Sequence, residues 1–197
     1  MREMIKMVVV LTLLSAVSGG LLAAVRNGTK DRIENQQLQL VKGPAIRAIL
    51  EGCTNDPVAD RFKLKDDTLE RSFFIGVFNG KPQAVAFETF GKGYGGDVGL
   101  MVAVNVTDDK LVGVGVTTHS ETPGLGAKSK TDPVFAKQFK GASTQTAINV
   151  TNDGGAINAL SGATITSRAV CAAATDAGQI YQRLKTQISE KLKRLPQ

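Results

Sequence analysis

Three kinds of hydrophobic pattern run along the chain, and each predicts a different element. From Met7 to Val25 no charge interrupts a 19-residue run. As a helix rising ~1.5 Å per residue, it would be about 28 Å long, close to the thickness of a bilayer's hydrocarbon core. From Asp31 to Leu50 the apolar residues Ile33, Leu38, Leu40, Val41, Ile46 and Ile49 fall on a helical face, which Gly43-Pro44 is expected to break or bend. Residues 53–70 are polar and read as irregular. Strand character begins at "RSFFIGVF" (71–78), turns at Asn79-Gly80 and resumes in "QAVAFETF" (83–90). "GKGYGGDVG" (91–99) reads as a flexible loop. "LMVAVNV" and "LVGVGVTTH" predict a second hairpin across Thr107-Asp108-Asp109. "TDPVFAKQFKG" (131–141) has the cap and the early proline of a short helix. A last helix is expected from about Ser167 to Leu192, with Val170, Ala174, Ala177, Tyr181, Leu184, Ile188 and Leu192 as its apolar stripe. The class is therefore α+β: a mainly antiparallel sheet with helices packed on one side, preceded by a single N-terminal transmembrane helix.

Arg2 and Lys6 precede the uncharged run. A cleaved signal peptide is one reading, since "SAVSGG" offers small residues for cleavage. The apolar character continues past that point through "LLAAV", and the run is long enough to span, so an uncleaved anchor is favoured. The two leading bases favour a cytoplasmic N-terminus, against the weaker asymmetry left by Arg26, Lys30 and Arg32 on the far side, and the rest is then expected outside the membrane. The expected organisation is a cytoplasmic end at 1–6, an anchor at 7–25, a membrane-proximal stalk at 26–69 and a folded domain at 70–195.

The net charge of +6 changes the picture little once it is located. Residues 1–30 hold four Lys/Arg and one acid, and 183–197 hold five and one. The 152 residues between carry 15 bases against 16 acids. With aromatics at 5% and no tryptophan, nucleic-acid binding is not expected. Cys53 and Cys171 lie 118 positions apart, which is no zinc or iron–sulfur spacing. They read as two buried thiols, with a disulfide as the alternative. No metal site is expected around the one histidine, His119.

Two stretches carry candidate chemistry. In "INALSGATITSRAV" (157–170), Gly162 and Ala163 sit among the hydroxyls of Ser161, Thr164, Thr166 and Ser167, just before the final helix. The plain reading is a helix start capped by Thr166 or Ser167. The sharper one is that a helix N-terminus stabilises a phosphate and that small residues let a bulky group approach the backbone. A phosphoester on Thr164 is then reasonable, although geometry does not name the cofactor. A hydrolytic triad is disfavoured, because Ser161 lies in S-G-A rather than in a G-x-S-x-G elbow. The second stretch, "THSETPGLGAK" (118–128), combines His119, Glu121, a rigid turn at Pro123-Gly124 and an apolar tip at Leu125. Loops of this kind often line sites.

"HSETPGLG", "SGATITS" about 40 residues later, and one N-terminal apolar helix together resemble the G subunit of the Rnf electron-transport complex. The related C subunit of the sodium-translocating NADH:quinone reductase shares the domain. The compact chain favours the Rnf type. The resemblance implies an FMN-binding domain over 70–195, with FMN joined through its phosphate to Thr164 by a flavin transferase that uses FAD as donor. Thr122 and Leu125 should lie against the flavin, with Glu121, Ser161, Gly162, Ala163, Thr166 and Ser167 as the rest of the site. The family's motif usually has an acid where this chain has Asn158. The implied function is a membrane-anchored electron-transfer subunit of an ion-translocating ferredoxin:NAD oxidoreductase. It would sit in the inner membrane, its soluble domain on the extracytoplasmic side and its partners the other membrane subunits. It would be a redox subunit without catalytic residues of its own. The alternative is an anchored, non-redox adaptor that keeps the fold without flavin attachment.

Overall fold

The computed structural model describes residues 1–66 and 69–193, the side chain of Asp31 excepted. Residues 67–68 of the expected stalk and 194–195 of the expected domain lie outside the described residues. The chain divides into two compact units, Met1–Gln39 and Leu40–Gln197.

In the first unit, α1 (Arg2–Gln37) contains a stretch, Arg2–Lys30, of mean hydropathy 2.3 that is long and apolar enough to cross a membrane. Its threonines do not spoil that character. The hydroxyls of Thr12 and Thr29 donate to the carbonyls of Val8 and Val25, each at 2.8 Å, so neither needs water. Around the expected break the backbone stays helical. A π-helical segment, Leu38–Lys42, precedes α2 (Gly43–Ile49), and Pro44 lies in the first turn of α2, where its fixed φ suits the helix.

Among the described residues of the second unit, five strands form one antiparallel sheet in the order β1-β2-β3-β4-β5. They are β1 (Arg61–Asp66), β2 (Leu69–Phe78), β3 (Lys81–Lys92), β4 (Asp97–Asn105) and β5 (Lys110–Val116). Both expected hairpins form. Asn79 and Gly80 have φ of 52° and 72°, the left-handed pair that a two-residue hairpin turn needs. In the second turn the side chain of Asn105 accepts from Thr107 N at 2.8 Å, and Asp109 takes φ 56°. The segment 53–70, expected to be irregular, instead contains β1. Its charged residues Arg61, Lys63 and Lys65 face outward, while Leu64 and Asp66 are buried, as suits an edge strand. The glycine-rich stretch is also shorter than expected. Only residues 93–96 lie between β3 and β4, closed by a 2.8 Å bond from Gly93 N to Gly96 O.

The helices do not all pack on one side. β4 is buried along nearly its whole length, which requires cover on both faces. One face of the sheet presents Phe73, Phe87, Leu100 and Val102 to α5 (Thr164–Lys193), whose expected stripe is buried throughout. The opposite face meets α2: Ile46 and Leu50 are fully buried, and Ile49 packs over Gly113 and Gly115. The short helices α3 (Lys128–Thr131) and α4 (Pro133–Lys137) lie beside β5. As expected, α4 is capped by Asp132, which accepts from Val134 N at 2.9 Å.

The two thiols are free. Cys171 is buried, but Cys53 is only half-buried, its sulfur 3.3 Å from the carbonyl oxygen of Asn55.

Candidate functional site

The last helix begins at Thr164, three residues before the expected start, and this moves the hydroxyl cluster into the helix itself. Gly162 takes φ 74° and turns the chain into it. Ser167 holds that turn from inside the first helical turn. Its hydroxyl accepts from Leu160 N at 2.9 Å and donates to Ala163 O at 3.0 Å. Neither Ser167 nor Thr166 is therefore a cap preceding the helix. The approach to the turn is clamped as well: Gln138 accepts from Asn158 N at 2.7 Å and donates to its carbonyl at 3.3 Å. The Asn158 residue is exposed, with only its backbone held in these bonds.

The four hydroxyls separate by environment. Thr166 and Ser167 are buried and committed to hydrogen bonds, and Ser161 is exposed. Thr164 is half-buried, and its hydroxyl has no hydrogen-bond partner among the described residues. The N–H groups of Thr164, Ile165 and Thr166 likewise find no acceptor there, as expected for the first turn of a helix. Three N–H groups without acceptors, the positive end of the dipole of a 30-residue helix and one free hydroxyl thus share the first turn of α5.

Thr164 borders a cavity of about 540 Å³. Of the expected site residues, Glu121, Thr122, Leu125, Gly162, Ala163, Thr164 and Thr166 line it; Ser161 and Ser167 do not. Tyr94, Gly126 and Ile165 line it too, and sequence reasoning misses all three. Tyr94 belongs to the glycine turn and is 75% exposed, an aromatic ring at the cavity's lip. A lone exposed tyrosine has no periodicity to give it away. The one signal in the sequence is its place between glycines that the fold packs tightly.

Glu121 connects the three segments that build the cavity. The residue is only 5% exposed. Its Oε1 accepts from Gly95 N at 2.8 Å in the glycine turn, and its Oε2 accepts from the Thr166 hydroxyl in α5. A side chain at Gly93 or Gly126 would collide with this carboxylate. His119 serves the same loop, its Nδ1 accepting from Glu121 N at 3.3 Å. Leu125, at the loop's tip, lies against the backbone of Gly162, where even a Cβ would stand only 3.0 Å from its Cδ2.

Arg168 grips Asp153 through two 2.7 Å bonds, which hold the Asp153 carboxyl below its ordinary range. Burial, assisted by the field of Asp153, pushes the Cys171 thiol up to about 11, so it is no nucleophile at neutral pH.

This combination of an antiparallel sheet, a long C-terminal helix and a cavity at that helix's start defines a class. A family model described as an FMN-binding domain matches residues 93–179, which include every residue lining the cavity. A crystal structure of Shewanella oneidensis NqrC shares the fold, with a TM-score of 0.52 and 25% identity over 71% of this chain and 72% of that one. Two relatives narrow the class. The G subunit of the ion-translocating oxidoreductase complex of Cereibacter sphaeroides is 35% identical, covering 81% of this chain and 76% of its own length. The G subunit of the proton-translocating ferredoxin:NAD(+) oxidoreductase complex of Clostridium ljungdahlii is 33% identical, covering 81% and 82%. The chain belongs to this family of G subunits, as its two motifs imply.

Proposed function

We propose that the chain is the membrane-anchored electron-transfer subunit of an Rnf-type ion-translocating ferredoxin:NAD oxidoreductase, carrying FMN esterified through its phosphate to Thr164. Thr164, with an unbonded hydroxyl in a helical turn of unpaired N–H groups and in the lining of the cavity, carries this reading.

The residues present fit FMN. The cavity's volume lies in the usual range for a cofactor site, about 300–1,000 Å³. The first turn of α5 suits the phosphate. Leu125 and Tyr94 offer apolar and aromatic surface to a flat ring system. FMN supplies reversible one- and two-electron redox chemistry, which no side chain in this site can perform. The chain's own part is to hold and orient. Attachment would join Thr164 Oγ1 to the FMN phosphorus of FAD as the pyrophosphate bond breaks, with AMP as the leaving group and the hydroxyl proton lost to a base. Glu121 keeps the glycine turn and α5 in register, and Gly162, at φ 74°, turns the chain into the helix. A covalent tether keeps the flavin at high effective concentration whatever its affinity, which matters on the outer side of a membrane.

In this reading residues 7–25 span the membrane, 1–6 face the cytoplasm, and the FMN-binding domain faces outward. The partners are the other membrane subunits of the complex and the flavin transferase. The test is co-expression with such a transferase and in-gel flavin fluorescence. The wild-type band should fluoresce after denaturation, the band of Thr164→Ala should be dark, and that of Ser161→Ala should match wild type. A dark wild-type band would favour the unflavinylated adaptor instead, and fluorescence surviving in Thr164→Ala would move the attachment elsewhere.

A further inference from the structure

β5 ends the sheet, so its outer edge must find hydrogen-bond partners outside the strands. Leu111 does so: its N–H donates to Ala142 O and its carbonyl accepts from Gly141 N, both at 2.8 Å. From Val112 to Val116 no outward backbone hydrogen bond is made among the described residues. These residues form the floor of an open groove of about 830 Å³. Pro44, Ala45 and Ile49 of α2 make one wall, and Pro133 and Ala136 of α4 belong to the other. The α2 side of the floor is low because Gly113 and Gly115 lack side chains there; a Cβ on either would stand 3.2–3.3 Å from Ile49.

Charge distinguishes the walls. Lys130, Lys137 and Lys140 line the α3–α4 side. Lys130 donates to Thr117 O at 2.8 Å, while Lys137 and Lys140 have no acidic partner among the described residues. Asp132 on the same side caps α4, and Glu51 is the acid on the α2 side. The groove therefore joins unpaired strand backbone, an apolar wall and a cationic wall.

We infer that the outer edge of β5 receives an extended segment of a partner protein as an added strand, its apolar side chains facing α2 and alternating with acidic ones facing Lys137 and Lys140. Successive side chains of a strand point to opposite faces, so strict alternation satisfies both walls at once. A second copy of this chain is disfavoured, since pairing β5 with β5 brings the two lysine walls together. The surface is independent of the cavity at Thr164 and stands whether or not flavin is attached.

The test uses the full chain in detergent micelles and a short fluorescein-labelled peptide of alternating valine and glutamate, read by fluorescence anisotropy. Saturable binding is expected. It should weaken roughly tenfold or more in the double variant Lys137→Glu, Lys140→Glu, whose exposed positions leave the fold intact. It should also be lost when the peptide's edge-facing amides are N-methylated, because those groups can no longer pair with β5. Hydrogen exchange should show new protection confined to the backbone of residues 112–116. Absent binding, equal binding by the methylated peptide, or equal binding by a valine–lysine peptide would overturn the proposal. So would sedimentation showing that the chain self-associates through this edge.

Discussion

Glu121 holds the glycine turn, its own loop and the first turn of α5 at one buried carboxylate. Replacing it with alanine leaves Gly95 N–H and the Thr166 hydroxyl without their acceptor; Gly95 is exposed and can turn to water, but the buried Thr166 hydroxyl left unpaired costs about 1–3 kcal/mol. Glu121→Ala should lower the urea midpoint clearly. Glu121→Gln, which keeps the shape and one acceptor, should lower it less; equal midpoints for wild type and Glu121→Ala would show that the carboxylate is not a structural link. A second carboxylate, Asp109, ties the β4–β5 turn to α5, accepting from Tyr181 at 2.9 Å and Lys185 at 2.5 Å. Burial raises its pKa, but the bonds from Lys185 and Tyr181 outweigh that and hold it below its ordinary value. Tyr181, buried and bonded to Asp109, is pushed up in turn. Because the folded value of Asp109 lies below the unfolded one, its stabilisation is present above about pH 4 and is lost as pH falls through the folded value. The melting-temperature advantage of wild type over Asp109→Asn should therefore be full at pH 7 and shrink towards pH 3. An advantage that does not change with pH would contradict the assignment.

At the scale of elements, the site depends on how closely α5 lies on β3. A Cβ at Gly91 would stand 2.0 Å from the carbonyl oxygen of Ala169, and on the same face Thr89 donates to Ala173 O at 2.9 Å. Gly91→Ala must push the helix off the sheet. It should destabilise the domain by about 1–3 kcal/mol or more, measured by denaturant unfolding, and lower the yield of flavin attachment. Unchanged stability would mean that the helix moves freely there. The hairpins and the stripe of α5 are legible in the sequence because their periodicity is local. β1 reads as irregular because Arg61, Lys63 and Lys65 mask the alternation of Phe62, Leu64 and Asp66, a common dress for an edge strand. The uninterrupted apolar run 98–104 does announce a strand covered on both faces, yet the pattern of the helices alone points to one side. The start of α5 is hidden because hydroxyls that look like caps do their work from within its first turn. Tyr94 and the linking role of Glu121 arise from contacts between residues 26 and 45 positions apart, which no local pattern encodes.

In the whole molecule, the proposed function joins the apolar helix and the FMN-binding fold through a membrane. The full chain should remain in the membrane pellet after alkaline carbonate washing, and a chain lacking residues 1–39 should move to the supernatant. A full chain released by carbonate would contradict a spanning anchor. The proposed electron carrier needs a cofactor that stays in place. The decisive experiment is intact-mass spectrometry of the denatured full chain, purified from cells with a working flavin transferase. The expected mass is that of the chain plus one FMN less one water, with the increment on the fragment containing Thr164; the mass of the bare polypeptide would rule the attachment out.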